Sequence, residues 1–152
     1  MDERSKIIQR AEKRMGRKIN RKYVPKSLSI PDLRKQIRSI EKGEPRPKTK
    51  TPSRKSKWTI KAQKYFGEGK TSKEDMATKL ARGNATRKRR LKEAFDQIYD
   101  KGMKAYQTSG SRPNQTPQSW GQARVFSVLF GGASRKVDDA IVKKYRLPLL
   151  TI

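Results

Sequence analysis

Neither cysteine nor histidine occurs among the 152 residues. Their absence removes the thiolate nucleophile, the imidazole base and the usual nitrogen and sulfur ligands of zinc and haem. Only Ser, Thr, Lys, Tyr and carboxylates are left for chemistry. No GxSxG elbow is present, and Ser109-Gly110-Ser111 has no histidine to activate it. Catalysis is therefore not expected, nor is a cofactor, a metal or a small-molecule substrate. A disulfide framework is excluded. Long apolar runs are missing too: the longest, Val125 to Phe130, falls far below the roughly 18 to 20 residues that cross a bilayer. Met1 is followed by DERSK instead of an apolar stretch, so no secretory signal is expected.

Acidic residues are the other scarcity, 14 against 40 Lys and Arg, which leaves a net charge of +26. Such a surplus repels itself unless an anion neutralises it or solvent surrounds it. It is spread unevenly along the chain: residues 1–57 carry 20 basic and 6 acidic side chains, 58–107 carry 13 and 6, and 108–152 carry 7 and 2. The first third also holds only 13 apolar residues, whereas both tryptophans and all four phenylalanines lie beyond it. Because ordering a backbone costs entropy that apolar burial must offset, residues 1–57 read as a basic arm that depends on a partner. Residues 58–146 read as a small helical domain, and 147–152 as an apolar tail. The expected fold class is mainly α.

Two helices are expected in the arm. In the first, about 4–19, Ile7, Ile8, Ala11, Met15 and Ile19 share one face, and Lys6, Arg10, Lys13, Arg14, Arg17 and Lys18 cover much of the rest. Ile7, Ile8 and Met15 are candidate partner-docking residues; packing on the chain's own core is the simpler alternative. The second helix, about 31–42, has Leu33, Ile37 and Ile40 on one side, Pro31 in its first turn and Gly43 as its stop. Residues 44–57, EPRPKTKTPSRKSK, have no apolar side chain and read as an extended linker, either a flexible spacer or a strap along a neighbouring surface. On it, Lys48, Lys50, Arg54, Lys55 and Lys57 are candidate contacts to phosphate.

The middle of the chain predicts a helical hairpin. Thr71 and Glu74 fit a capping box, Met76, Ala77, Leu80 and Ala81 form a buried side, and Gly83-Asn84 ends the first helix. The next helix is expected from Thr86 to about Tyr106, with Leu91, Ala94, Phe95, Ile98 and Gly102 inward. Its first turn carries Arg87, Lys88, Arg89 and Arg90, four cations at the positive end of a helix dipole, where an anion would be favoured. The run FGEGKT contains GKT, but the first glycine of a phosphate-binding loop would fall at Lys64, so a turn and helix cap explain it better.

In SGSRPNQTPQSWGQARVFSVLFGG, Pro113, Asn114 and Pro117 force an irregular turn. Thr116 and Pro117 then start a helix reaching about Phe130, expected to be the buried rod of the core. A last helix from Ser134 is expected to turn Val137, Ala140, Ile141 and Tyr145 inward, with Asp138 and Asp139 near its start and Lys143 and Lys144 near its end. Leu147, Leu149 and Leu150 of the tail either fold back or insert into a neighbour, the latter slightly favoured because exposed apolar termini promote aggregation.

The runs YVPKSLS (23–29) and SGSRPNQT (109–116), with Ser119-Trp120-Gly121, Ala123-Arg124 and Val137-Asp138, resemble a family of small basic proteins of large double-stranded DNA viruses, including chlorovirus-like and other giant viruses. The resemblance covers Tyr23 to Ile141; Met1 to Arg21 lies outside it. Arg112, Pro113, Asn114, Thr116, Trp120 and Gly121 are the motif residues, with a structural role, and nothing catalytic carries over. The resemblance implies a virus-encoded, virion-associated protein made in the host cell cytoplasm. The expected function is that of a non-enzymatic minor capsid protein, bridging major and other minor capsid proteins through arm and tail. The alternative is a virion DNA-binding or condensing protein that contacts phosphates without reading bases. The partners are accordingly capsid proteins, nucleic acid or an internal membrane surface.

Overall fold

The computed structural model describes residues 2–50, 55–109 and 112–152. Among the described residues the chain is mainly α-helical and contains no strand. The helices are α1 (Glu3–Met15), α2 (Ile30–Lys42), α3 (Lys57–Phe66), α4 (Lys73–Ala81), α5 (Ala85–Ser109), α6 (Pro117–Leu129), α7 (Ala133–Val137) and α8 (Asp139–Tyr145). Two compact units form, one from residues 1–54 and 105–117, the other from 55–104 and 118–152. The linear division into arm, domain and tail is thus redrawn. The end of α5 and the loop after it count with the first unit, and residues 147–152 with the second.

In the first unit, the Asp2 carboxylate caps α1 by accepting from the Ser5 amide at 2.7 Å. Gly16, in the left-handed region at φ 67°, ends the helix at Met15, four residues before the expected end. Pro31 stands in the first turn of α2 and Gly43 closes it, as the sequence predicts; the cap is Ser29. Ile7, Ile8, Ala11, Ile19, Val24, Leu28, Leu33, Ile37 and Ile40 are buried in one cluster, against which Met15, Tyr23 and Ile30 pack. Every described apolar side chain of the first 57 residues is therefore used in a single small core.

The YVPKSLS run closes that core. The Arg4 guanidinium donates to the Pro25 and Leu28 carbonyls, and Gln36 Nε2 donates to the Tyr23 carbonyl at 2.9 Å. The strap after α2 is also held. The Arg46 amide donates to Tyr106 Oη at 2.9 Å, and its guanidinium donates to the Ser39 and Glu44 carbonyls at 3.1 and 2.7 Å while lying 4.6 Å from the centre of the Tyr106 ring. Burial lowers the pKa of this guanidinium from its ordinary value. Asn114 completes the clamp: its Oδ1 accepts from the Thr49 amide at 2.7 Å and its own amide donates to the Pro47 carbonyl at 3.2 Å.

In the second unit, Ser56, Ser72 and Asn84 begin α3, α4 and α5, their side chains accepting from Thr59, Asp75 and Arg87 amides. The cap of α4 is Ser72, not Thr71, and Glu74 reaches across to Lys88 and Lys92 instead of back to the cap. Phe95, Phe126, Leu91, Ile98, Met76, Val125, Val128 and Leu129 are fully buried in the core. The inner faces of α5 and α6 meet through glycine: a Cβ on Gly102 would stand 2.7 Å from Gly121 Cα, and one on Gly121 would stand 2.7 Å from the Tyr99 ring.

The last helix is in fact two. Asp138, at φ −98° and ψ 24°, interrupts it and turns its carboxylate inward to Arg124, with both bonds at 2.8 Å, and to Lys101 Nζ at 3.3 Å. The break leaves Val137 70 % exposed and Ala140 at the surface, both expected inside; Ile141 and Tyr145 are buried as expected. Burial alone would raise the Asp138 pKa, but the two cations outweigh it and hold it below its usual value. Arg135 donates to the carbonyls of Val128, Leu147 and Pro148, and the Leu150 amide donates to the Leu129 carbonyl at 2.8 Å, so the tail lies on the core of its own unit.

Candidate polyanion interface

Charge is shared evenly between the units once their true composition is used. The first holds 19 basic and 6 acidic residues and the second 21 and 8, a net +13 in each. In the first unit, the apolar stripe of α1 faces the core and thereby fixes the opposite side outward. Lys6, Arg10 and Lys13, spaced i, i+4 and i+7, are exposed there, followed by exposed Arg17 just beyond the cap. At about 1.5 Å rise per residue, Lys6, Arg10 and Lys13 stand roughly 4.5 to 6 Å apart along the axis.

Four of the carboxylates of this unit are in ion pairs with other cations. Glu41 takes Arg14 at 2.6 Å, Glu12 takes Arg21 at 3.2 Å, Glu3 faces Arg34 at 3.6 Å and Glu44 faces Arg38 at 4.0 Å. Glu12 also accepts from the Ile19 amide, which is the main reason its pKa is lowered. Among the described residues, none of Lys6, Arg10, Lys13 and Arg17 is in an ion pair.

The basic run of α5 is divided by its partners. Arg87 donates to the Tyr145 carbonyl and, at 2.6 Å, to the Arg146 carbonyl, and Arg90 donates to the Lys144 carbonyl at 3.1 Å. Both therefore cap the C-terminal end of α8, where a cation is favoured by the helix dipole. Lys88 pairs with Glu74 at 2.6 Å, and Glu74, held also by Lys92, is lowered to about 2 by those two hydrogen bonds. Arg89 is exposed and in no ion pair among the described residues.

Asn84, Thr86, Arg87, Arg90, Lys144, Tyr145 and Arg146 line a groove of about 570 Å³. It offers four cations and no carboxylate. A second groove of about 550 Å³ lies at the GKT turn, lined by Phe66, Gly69, Lys70, Asp75, Thr78 and Lys79. Asp75 makes it less suited to an anion, and α3 stands before the turn where a nucleotide loop would have a strand.

The remaining residues expected at interfaces divide clearly. Lys48 and Lys50 are exposed on the clamped strap. Lys55 is exposed and donates to Gln63 Oε1 at 3.3 Å, and Lys57 lies 4.7 Å from the Trp58 ring centre. Arg54 falls outside the described residues. Ile7 and Ile8, expected to dock on a partner, are buried in the first core, with Met15 half-buried against it. Leu147 and Leu150 are buried in the second core because Arg135 and the Leu129 carbonyl hold the tail there; Leu149, 58 % exposed, stays outside.

In the motif, Pro113 is buried, Asn114 occupies the left-handed region at φ 67°, Trp120 is half-buried, Gly121 is buried beneath Tyr99, and Arg112 and Thr116 are at the surface. Sequence reasoning missed Lys144 as a groove residue and Arg146 altogether. The Lys144 carbonyl is capped by Arg90, 54 residues away, and the Arg146 carbonyl by Arg87, 59 residues away, so no local pattern joins them.

Residues 29–143 match DUF5824, a family of unknown function. No curated protein and no solved structure matches the chain.

Proposed function

We propose that this chain, which belongs to the DUF5824 family, is a non-enzymatic assembly protein that binds the backbone of nucleic acid without reading its sequence. The observation that carries the reading is the exposed α1 row Lys6, Arg10 and Lys13, regularly spaced on the helix and followed by Arg17 beyond its cap, all outside every ion pair among the described residues. Cations held apart from carboxylates keep their full attraction for phosphate, and phosphate contacts give affinity without base information. The resemblance to proteins of large DNA viruses is consistent with a virion-associated role without distinguishing shell from genome.

The minor capsid reading is second. It relied on an arm and a tail reaching over neighbours, whereas the apolar side chains assigned to that task lie mostly in the chain's own cores. What favours it is the exposed apolar pair Leu149 and Ile152 at the end of the tail, 58 % and 66 % exposed. Binding to two duplexes of unrelated sequence separates the readings. Equal affinities, lowered together by Lys6→Gln, Arg10→Gln and Lys13→Gln in combination, are expected for backbone binding. A strong preference for one sequence, or duplex affinity untouched by those substitutions, would reject it.

A further inference from the structure

We propose that a single chain is bivalent for nucleic-acid backbone and bridges two separate duplex segments. The inference rests on the backbone-binding reading above and adds to it the number of surfaces and what they do together. Each unit has its own apolar core and its own net +13. Each also presents a cationic surface: the α1 row Lys6, Arg10, Lys13 and Arg17, in no ion pair among the described residues, in the first, and the groove lined by Arg87, Arg90, Lys144 and Arg146 with no carboxylate in the second.

The two surfaces differ in kind. The row is convex and follows one helix, so it suits the run of phosphates along a duplex edge. The groove is concave, and Arg87 and Arg90 are braced within it by the carbonyls of α8, which fixes their charge in place. Asn84 and Thr86 add neutral polar groups beside them. Excess charge spread over one surface would only neutralise DNA. Two separate surfaces let one chain hold two duplex segments at once, and where both segments belong to one long DNA the second meets its surface at an effective concentration set by the DNA between them.

A biotinylated short duplex on a surface, loaded with the full-length chain, washed, and then offered a fluorescent duplex of unrelated sequence, tests this. The wild type is expected to capture the second duplex. The combination Lys6→Gln, Arg10→Gln, Lys13→Gln and the pair Lys144→Gln, Arg146→Gln are each expected to bind one duplex more weakly and to reduce capture of the second by about tenfold or more. Lys144 and Arg146 are chosen because their side chains stand at the surface and donate none of the capping bonds that Arg87 and Arg90 make.

Binding of the first duplex without capture of the second would overturn bivalency while leaving backbone binding intact. Capture that survives either set of substitutions, or that light scattering traces to dimers, would overturn it as well. Failure to bind even the first duplex at low salt would overturn the underlying reading itself. Folding of each variant is checked by helical circular dichroism, and an unfolded set is replaced by Arg17→Gln for the row or Arg146→Gln alone for the groove.

Discussion

Asp138 shows how much a single side chain decides. Its carboxylate is fully buried, and Arg124 and Lys101 are its ion-pair partners. Removing the charge from a buried pair typically costs about 3 kcal/mol or more, because the partner cations lose their counterion. Asp138→Asn should therefore lower stability at pH 7 by about 3 kcal/mol, measured by urea unfolding. The sign with pH follows from the direction of the shift. The folded carboxyl is more acidic than the unfolded one, so its contribution is complete above about pH 4 and disappears as pH falls through the folded value. Wild type and Asp138→Asn should converge in stability as pH falls from the ordinary carboxylate value of about 4 through the folded value; parallel pH profiles would contradict this role. The helical period could not reveal it, since period places Asp138 near a helix start, and only the tertiary position of Arg124 draws it inward.

At the scale of elements, most helices were legible, apart from α3 and the division between α7 and α8, and their ends were less so. Pro31 and Gly43 mark α2 correctly because each acts through local backbone chemistry. Gly16 has the same local meaning as Gly43, yet the apolar spacing from Ile7 to Ile19 continues past it. Ile19 reaches the core from outside the helix, its amide bound by Glu12. The strap at 44–50 was legible as extended, but its fastening was not, because Tyr106 and Asn114 lie 60 and 65 residues away from the groups they hold. Hydrogen exchange tests that fastening. Tyr106→Phe removes the acceptor of the Arg46 amide and Asn114→Ala that of the Thr49 amide, each a bond worth about 1 kcal/mol. Faster exchange at the corresponding amide, by about fivefold, is expected in each variant. Unchanged rates at both amides would mean the strap is held by other forces.

For the whole molecule, the charge surplus was plain from composition, but its distribution was not. Counted along the chain, it concentrates in the first third; counted by compact unit, each carries +13. The outward face of α1 was legible because the apolar stripe determines it, although the phosphate contacts expected from the sequence lay on the strap and on α5. The groove was not, because Arg87 and Arg146 meet only after folding. Too few apolar residues seemed available to order the first 57, but placing all the described ones in one cluster gives the region a core of its own. What remains outside both cores and the ion pairs is a set of cations that calls for phosphate. The most direct measurement is duplex affinity against salt. With six to ten phosphates neutralised, affinity should fall by roughly 10³ to 10⁵ between 50 and 200 mM salt, alike for unrelated sequences. Affinity that hardly changes over that range, or no duplex binding at the lower salt, would contradict backbone binding.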